Sequence, residues 1–341
     1  MVQMLVDGLS KRGVETYLIV LNCGHDYKYA HFLDDEYCLH ITPRLSGIIK
    51  GCLRLRKLRT ELRLDLLHSH GIIPDLLNVI TAKKMATVTT VHNNRWHDYA
   101  NVFGRVVGWP LAIFHGVVFA VMGSVVCCSA SVRSSLCIPT TRRCEVVRNG
   151  VPQGAVLSNP CCVKEERERV NFVSVGSLSV GKGIRTLAHG FSTFRTPNEY
   201  LTIVGDGELF SELVSAQLEG VTFVGRKDDV LPYLTGADFY VSNSSTEGFP
   251  MAVLEGLSVG LVPILSAIPA HQELIDLVPA GSIFDHDDIA TMLKLSRNSQ
   301  RSRSIRGDLQ SAQMQHFSDR SMVEGYIQVY VDMIGDNDGW L

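Results

Sequence analysis

The chain has 341 residues, of which 45% are hydrophobic and 20% are charged, so disordered and fibrous proteins are excluded and two cores are expected. The net charge of −3 conceals an asymmetry. Residues 1–155 carry 18 lysines and arginines against 11 aspartates and glutamates, a net charge of +7, whereas the remainder carries 14 against 24, a net charge of −10. This division indicates that only the first half meets an anionic surface.

The cysteines favour a reducing compartment. There are nine of them, an odd number, and none lies in a Cys-x-x-Cys pair. No segment that resembles a signal peptide is seen ahead of them. We interpret them as reduced thiols of a cytoplasmic protein, several of them buried as small hydrophobic side chains, with a zinc site as the alternative.

The first half predicts alternating helices and strands. After an opening helix, a strand is predicted at Thr16–Leu21. Residues 46–63 predict a helix with one apolar stripe, and its remaining positions are rich in lysine and arginine. Further along, a strand ends in His68-Ser69-His70, and another, Thr87–Val91, leads into a loop that begins with His92.

The most apolar stretch runs from Val106 to Val126, and its length approaches that of a bilayer span. It contains Pro110, His115 and several glycines. We interpret it as a buried helix that runs into a buried strand at Ser124–Ser129. A membrane span and a shallow membrane contact are the alternatives.

A second series of strands and helices follows a polar segment, Gln153–Arg169, which we predict to be a linker. Its strands are predicted at Val170–Val175, Leu201–Val204, Val221–Val224, Phe239–Ser242 and Val262–Leu265. Two such series predict two doubly wound α/β domains with parallel sheets. In these sheets ligands bind beyond the carboxyl ends of the strands.

Two glycine-rich turns follow predicted strands of the second half. Residues 176–183 read Gly-Ser-Leu-Ser-Val-Gly-Lys-Gly and lead into a helix, so Lys182 and the helix N-terminus suit a phosphate group. The spacing matches neither the P-loop nor Gly-x-Gly-x-x-Gly, and a purely structural turn is the alternative. Gly205-Asp206-Gly207 forms a second tight turn, in which Asp206 either faces a ligand or caps the next helix.

The strongest pattern is the stretch from Glu247 to Glu255. Pro250 predicts a helix start, because proline is favoured at the first helical position. The amides of residues 251–253 would then face an anion, and the two glutamates would face hydroxyl groups. Either glutamate alone is readily explained as a capping or solvated side chain, but the combination is harder to explain in that way.

Taken together, these elements resemble family 4 of the retaining glycosyltransferases, or glycosyl transferases group 1, which have the GT-B fold. The stretch from Glu247 to Glu255 is similar to the family's Glu-x7-Glu element, with Gly248-Phe249-Pro250 in the usual place. The resemblance covers nearly the whole chain, and its other elements are Val175–Gly183, Ile203–Gly207, Val224-Gly225, Asp238, Ile268–Ile275, Asp65–His70, Thr90–Asn93, Asn149–Val151 and Phe317–Tyr330.

The resemblance implies two Rossmann-like doubly wound domains that face each other across a cleft. Residues 1–155 would bind the acceptor, residues 156–318 the nucleotide-sugar, and residues 319–341 would cross back to the first domain. The chain starts within the helix that follows the family's first strand and Gly-Gly loop, so the first domain is expected to lack that strand. Either the true start lies upstream or the enzyme is impaired, and we expect an upstream start because the first helix keeps its apolar stripe.

The resemblance also implies residue roles. Lys182 would hold the donor diphosphate, Glu247 would contact the donor sugar and Glu255 the ribose. His92, from the acceptor domain, would lie beside the reacting sugar, which makes Glu247, His92 and Lys182 the expected catalytic residues. The other expected donor-binding residues are Gly176, Ser177, Gly205, Gly207, Gly248, Phe249, Pro250 and Met251.

Lysine and helix N–H groups would stabilise the charge on the leaving diphosphate, so neither a metal nor another cofactor is expected. Asp285-His286-Asp287 imitates a metal-binding Asp-x-Asp, but it lies in a loop where the family carries acidic residues, and we do not assign it to a metal. Ser177 stands where the family usually has an arginine on the diphosphate, and this departure puts donor binding in question.

The sequence therefore predicts hexosyl transfer from a nucleotide-sugar, UDP-sugar favoured over GDP-sugar, to a glycan or lipid-linked acceptor in surface polysaccharide or glycolipid synthesis. No nucleic-acid partner is expected. Residues 46–63 predict a contact with an anionic membrane at its cytoplasmic face, and a basic solvated helix is the alternative. Two other functions stay open: a non-catalytic partner subunit, favoured by Ser177 and the absent loop, and a sugar-nucleotide epimerase.

Overall fold

The computed structural model describes residues 1–22, 38–40, 45–136, 143–152, 169–299 and 303–335. The chain divides into two compact units. The first contains Met1–Arg148 and the residues from Met322 onward, and the second contains Asn149–Ser321. The sequence placed the corresponding boundaries after residues 155 and 318. Nearly all of the predicted linker lies outside the described residues.

The strands of the first unit pair in parallel. They are β1 (Val20–Asn22), β2 (Cys38–His40), β3 (Leu66–Ser69), β4 (Ala86–Val91), β5 (Ser124–Cys127) and β6 (Arg143–Val146). Strands β3 to β6 are neighbours in chain order, and β1 pairs with β2. The strand predicted at Thr16–Leu21 begins later than expected, at Val20.

The helices of the first unit are α1 (Val2–Ser10), α2 (Leu45–Glu61), α3 (Ile72–Ala82), α4 (Arg95–Val121) and α5 (Ala130–Ser134), and most of α13 (Asp319–Ile334) belongs to it as well. One core cluster joins α1 and α13 to the sheet. Leu5 of α1 packs with Val88 of β4, Val126 of β5 and Tyr326 of α13. Burial of these apolar side chains therefore fixes the last helix onto the first unit.

Helix α4 is a helical hairpin rather than one straight helix. The backbone turns at Gly104, which has φ 72° and ψ 163°. The hydroxyl of Tyr99 lies 2.6 Å from Nδ1 of His115, although 16 residues of straight helix would separate them by about 24 Å. Residues 95–103 therefore fold back against residues 105–121. Gly108 permits this contact, because a Cβ there would lie 2.4 Å from the backbone carbonyl of Tyr99.

The interpretation of Val106–Val126 as a buried helix and strand is correct for the strand and wrong for one face of the helix. Strand β5 is fully buried, but Val106 is 88% exposed, and a row of apolar side chains on α4 shares this exposure. The pattern misled because hydropathy does not distinguish the two faces: Val118 and Phe119 are buried, whereas the equally apolar Phe114 is exposed. By length and composition, α4 is the one helix in the described ranges that could cross a membrane.

The second unit is a single parallel sheet covered by helices. Its strands are β7 (Val170–Val175), β8 (Glu199–Val204), β9 (Val221–Phe223), β10 (Phe239–Ser242), β11 (Val262–Ser266) and β12 (Ser282–Phe284). Its helices are α6 (Ile184–Phe194), α7 (Phe210–Ser215), α8 (Leu231–Thr235), α9 (Met251–Ser258), α10 (Pro269–Ile275), α11 (Ile289–Asn298) and α12 (Arg303–Phe317). The strand order β12-β11-β10-β7-β8-β9 reverses between β7 and β10. In a doubly wound sheet, this reversal opens a crevice at the carboxyl ends of those two strands.

Candidate donor-binding site

A cavity of about 370 Å³ lies at the crevice between β7 and β10. Its volume is within the range of about 300–1,000 Å³ that is typical of small-molecule sites. Of the residues expected to bind the donor, those that line it are Gly176, Ser177, Lys182, Glu247, Phe249, Pro250 and Met251. The structure thus brings together side chains that lie 60 or more residues apart in the sequence.

Lys182 is positioned by the segment that follows β10. It ends a short 3-10 helix, and Gly183 begins α6 in the left-handed conformation with φ 61°. The Asn243 side chain is fully buried and donates to the carbonyl of Gly183 at 3.1 Å, while the amide and hydroxyl of Ser245 both donate to the carbonyl of Gly181 at 3.0 Å. A Cβ at residue 183 would lie 2.2 Å from the Asn243 carbonyl oxygen, so glycine is required there.

Glu247 is held by two donors. Lys182 Nζ lies 2.5 Å from its Oε1, and the Ser244 hydroxyl donates to the same oxygen at 2.7 Å. The Ser244 carbonyl accepts from the Ser266 hydroxyl at 2.6 Å, and His271 Nδ1 lies 2.9 Å from the Ser266 carbonyl. Burial lowers the pKa of His271 to about 4, so its ring is neutral at pH 7. Because Glu247 lines the cavity, its carboxylate holds the Lys182 ammonium group at the cavity wall.

The N-terminus of α9 forms another wall of the cavity. Pro250 caps this helix, and Met251 and Ala252 have no backbone hydrogen-bond acceptor within the described residues. The expectation of three open amides is wrong for Val253, whose N–H donates to the Pro250 carbonyl at 3.0 Å. The first turn of α9 is tight, because the Pro250 carbonyl accepts from Val253 as well as from Leu254. Two amides and the helix dipole remain to attract an anion.

The side chains of Phe249 and Glu255 differ in their burial and in their contacts. The Phe249 ring is 5% exposed and packs against Phe317, with ring centroids 5.6 Å apart, so its side chain stabilises the turn more than it meets a ligand. Glu255 lies one turn inside α9 and is partly buried, and burial raises the pKa of its carboxyl group. A diol that donates hydrogen bonds would favour its charged form.

The second glycine turn supports the first. The N–H of Leu178 donates to the Asp206 carbonyl at 3.0 Å, and the N–H of Leu209 donates to the Leu178 carbonyl at 3.1 Å. A Cβ at Gly205 would lie 1.8 Å from the carbonyl oxygen of Gly176, so the two turns touch through their backbones. Gly205 and Gly207 thus shape the cavity without lining it.

Asp287 belongs to the frame of the site. Its backbone N–H donates to Asn243 Oδ1 at 3.0 Å, and its carboxylate accepts from Asn243 Nδ2 at 2.8 Å. Asn243 therefore joins the lysine turn to the loop after β12. Across the described ranges, no group of three or more His, Cys, Asp or Glu side chains could hold a metal ion. Ser177 lines the cavity with a hydroxyl that lies 3.4 Å from the Ser179 hydroxyl.

His92 belongs to the first unit, where it follows β4. Its Nε2 lies 2.9 Å from Nδ1 of His70, and the His68 ring contacts Tyr330 and Thr90. Burial lowers the pKa of His68 to about 3 and that of His92 to about 4, and it lowers the pKa of His70 well below the ordinary value. These three imidazoles are therefore neutral at pH 7 and act as hydrogen-bond donors and acceptors rather than as cations.

Comparison with models of known families identifies the family of this chain. A model described as "Glycosyltransferase Family 4" matches residues 1–153, and one described as "Glycosyl transferases group 1" matches residues 169–295. The chain belongs to family 4 of the glycosyltransferases. The resemblance that the sequence indicated is thereby confirmed.

Relatives of this family 4 chain include glycosyltransferases of Escherichia coli. It is 25% identical to the O-antigen biosynthesis glycosyltransferase WclY over 63% of this chain and 64% of the relative, so it spans slightly less than two thirds of that protein. It is 26% identical to a UDP-Gal:alpha-D-GlcNAc-diphosphoundecaprenol alpha-1,3-galactosyltransferase over 82% of this chain and 79% of the relative.

Solved structures confirm the GT-B fold of this family 4 chain. Sucrose-phosphate synthase from Thermosynechococcus elongatus superposes with a TM-score of 0.80 at 16% identity, covering 97% of this chain and 92% of that one. Anabaena Alr3699/HepE in complex with UDP-glucose superposes with a TM-score of 0.69 at 15% identity, covering 86% of each chain.

Sequence reasoning missed the residues that frame the family 4 site. Asn243, Ser244 and Ser266 carry no signal of their own, because serine and asparagine after a strand are ordinary turn residues. His271 was noted as part of a longer resemblance and not as the buried end of the hydrogen-bonded chain to Glu247. These contacts join the ends of β10 and β11, and only the strand order makes them neighbours.

Proposed function

We propose that this chain is a retaining glycosyltransferase that moves a hexosyl group from a UDP-sugar to a lipid-linked glycan acceptor in surface polysaccharide synthesis. The observation that carries this proposal is the placement of Lys182, Glu247 and the α9 N-terminus in one cavity. Membership of the family supports sugar transfer. The names of the Escherichia coli relatives support an O-antigen-type product, a UDP-sugar and a diphosphoundecaprenol-linked acceptor.

In the proposed reaction, the bond between the anomeric carbon and the diphosphate oxygen breaks, and the diphosphate keeps the electron pair. The acceptor hydroxyl oxygen bonds to the same carbon on the same face, and its proton leaves with the nucleoside diphosphate. Lys182 and the amides of Met251 and Ala252 stabilise the negative charge that develops on the diphosphate. Glu247 holds the lysine and then a hydroxyl group of the donor sugar, while Glu255 accepts from the ribose.

We propose that transfer proceeds without a bound metal ion, because the lysine and the helix N-terminus supply the positive charge that the leaving group needs. Addition of EDTA should then leave the rate unchanged. A loss of activity with EDTA that Mg²⁺ or Mn²⁺ restores would overturn this part of the proposal.

We further propose that His92 takes part in transfer and that the chain works at the cytoplasmic face of a membrane. The exposed Lys50, Arg56 and Lys57 of α2 support an attraction to anionic lipid headgroups. A lipid-linked acceptor would reside at such a surface.

The experiment has two stages. Thermal unfolding is first measured with UDP-, GDP- and ADP-sugars, and the nucleotide that raises the melting temperature is then tested in transfer to a lipid-diphosphate-linked glycan. Glu247→Gln should abolish transfer while Glu219→Gln, a change at an exposed glutamate of the same unit, should not. The anomeric configuration of the product is read by NMR, and inversion would contradict the retaining mechanism.

Ser177 favours a second candidate, a non-catalytic partner subunit, because a hydroxyl group replaces the arginine that the family usually places on the diphosphate. A wild-type chain that binds the donor but neither hydrolyses nor transfers it would support this candidate. Donor hydrolysis that is lost in Glu247→Gln would exclude it.

A further inference from the structure

The outer face of the α4 hairpin is a continuous apolar surface. Val106 at the turn is 88% exposed, and Val117, eleven residues further, is 57% exposed. The exposed apolar residues of this outer face are Val102, Phe103, Val106, Val107, Trp109, Ile113, Phe114, Val117 and Val121. Along residues 105–121 they recur every three or four positions, which places them on one stripe of the helix.

The hairpin is anchored from its other side. Ala112, His115 and Phe119 are buried against the unit. The carboxylate of Asp75 lies 2.7 Å from Nε2 of His115 and accepts from the Thr89 hydroxyl at 2.8 Å, while Nδ1 of His115 contacts Tyr99. This buried polar network fixes both legs of the hairpin to α3 and β4. The outer face is therefore presented by an anchored element and is not a core face that has lost its neighbours.

The turn and the longer leg of the hairpin carry no acidic side chain. Residues 101–121 contain no aspartate or glutamate, and Arg105 at the turn is their one Lys or Arg residue. Helix α2 packs against α3, and α3 packs against α4, so α3 connects the basic helix to the hairpin. Helix α2 adds exposed Ile49 and Leu53 to its lysines and arginines. An apolar stripe and a cationic helix in one compact unit are typical of proteins that lie in a membrane interface.

We propose that the outer face of the α4 hairpin rests in the interfacial region of an anionic lipid bilayer, to which the basic residues of α2 add attraction. The bilayer is chosen over a protein partner because the positive charge complements anionic headgroups and because Trp109 suits the boundary between headgroups and acyl chains. The choice also rests on the proposed function, in which the acceptor is linked to a lipid.

The hairpin lies on the bilayer and does not cross it. Its longer leg, residues 105–121, spans about 26 Å at 1.5 Å per residue, less than the roughly 30 Å hydrocarbon core. Asp75 and His115 also hold its inner face to the unit.

The experiment is flotation of the full chain with vesicles of phosphatidylcholine alone or with added phosphatidylglycerol, without donor or acceptor. The variant Val106→Asp/Val117→Asp should bind the anionic vesicles at least about tenfold more weakly, because two apolar contacts are lost and two negative charges are added. The matched control is Phe194→Asp/Val214→Asp, which changes two exposed apolar residues of the second unit by the same charge. It should bind as the wild type does, and near-UV circular dichroism checks that both variants are folded.

The outcomes separate this inference from the proposed function. Lys50→Gln/Lys57→Gln should weaken binding to anionic vesicles and leave binding to neutral vesicles unchanged. Equal flotation of Val106→Asp/Val117→Asp and wild type, or no flotation of the wild type, would overturn the inference. So would a lipid-free wild-type dimer that this variant converts to a monomer, since the face would then cover a second copy. Transfer to a water-soluble acceptor analogue should persist in Val106→Asp/Val117→Asp. If neither this variant nor the wild type transfers sugar to the analogue, the proposed function is wrong.

Discussion

Replacement of Lys182 by methionine removes the ammonium group and keeps a side chain of similar length. In the free protein, Nζ lies 2.5 Å from Glu247 Oε1, and the lysine side chain is 33% exposed. The Glu247 side chain is only 14% exposed but keeps the Ser244 hydroxyl as a donor, so the variant should fold with a loss of roughly 1–3 kcal/mol. A charge-assisted hydrogen bond to a phosphate contributes about 1.5–3 kcal/mol. The dissociation constant of the nucleoside diphosphate should therefore rise roughly 10- to 150-fold.

The assay is thermal unfolding against the concentration of the nucleoside diphosphate that stabilises the wild type. A ligand at 100 times its dissociation constant stabilises a protein by about 2.7 kcal/mol, so the loss is easily resolved. Lys294→Met, at an exposed position on α11 of the same unit, is the matched control and should bind as the wild type does. If Lys182→Met binds the nucleotide as tightly as the control, the lysine does not contact the diphosphate.

Three further changes test how the site is built. Asn243→Ala leaves its buried partners unpaired and should lower the free energy of unfolding by about 2–4 kcal/mol and weaken nucleotide binding, as measured by urea unfolding and calorimetry. Gly205→Ala places a Cβ 1.8 Å from a carbonyl oxygen and should lower the free energy of unfolding by at least about 2 kcal/mol. The control Gly307→Ala, where no atom lies within 4 Å of the new Cβ, should raise it by up to about 1 kcal/mol. Equal effects of the two variants would refute the close contact at Gly205. Because burial lowers the pKa of His271 to about 4, the unfolded chain binds the extra proton between about pH 6.5 and pH 4. Stability should be full above pH 6.5 and fall by about 3 kcal/mol across that window, and His271→Gln should flatten this fall in pH-dependent melting curves of the second unit.

Much of the candidate site could be predicted from the sequence because its polar residues lie in short continuous stretches. Glu247, Pro250 and Glu255 share one turn and one helix, so their spacing alone placed them around a helix N-terminus. Lys182 was predicted by the same local logic, as a lysine in a glycine turn before a helix. The contact between Lys182 and Glu247 was not predicted, because it depends on β7 and β10 being neighbours in the sheet.

The α4 hairpin shows the limit of composition. The sequence contains the apolar residues and Gly104, but hydropathy does not tell which side of a helix meets a core. The fold-back at Gly104 and the contact of Tyr99 with His115 decide that Val118 and Phe119 face inward, whereas Val106 and Trp109 face outward. The sequence by itself predicted the two doubly wound domains and the stretch from Glu247 to Glu255, which depend on local periodicity and spacing, and the resemblance of its motifs indicated the family. The tertiary structure alone decided which residues frame Glu247 and which face of α4 is exposed, because both depend on contacts between segments far apart in the chain.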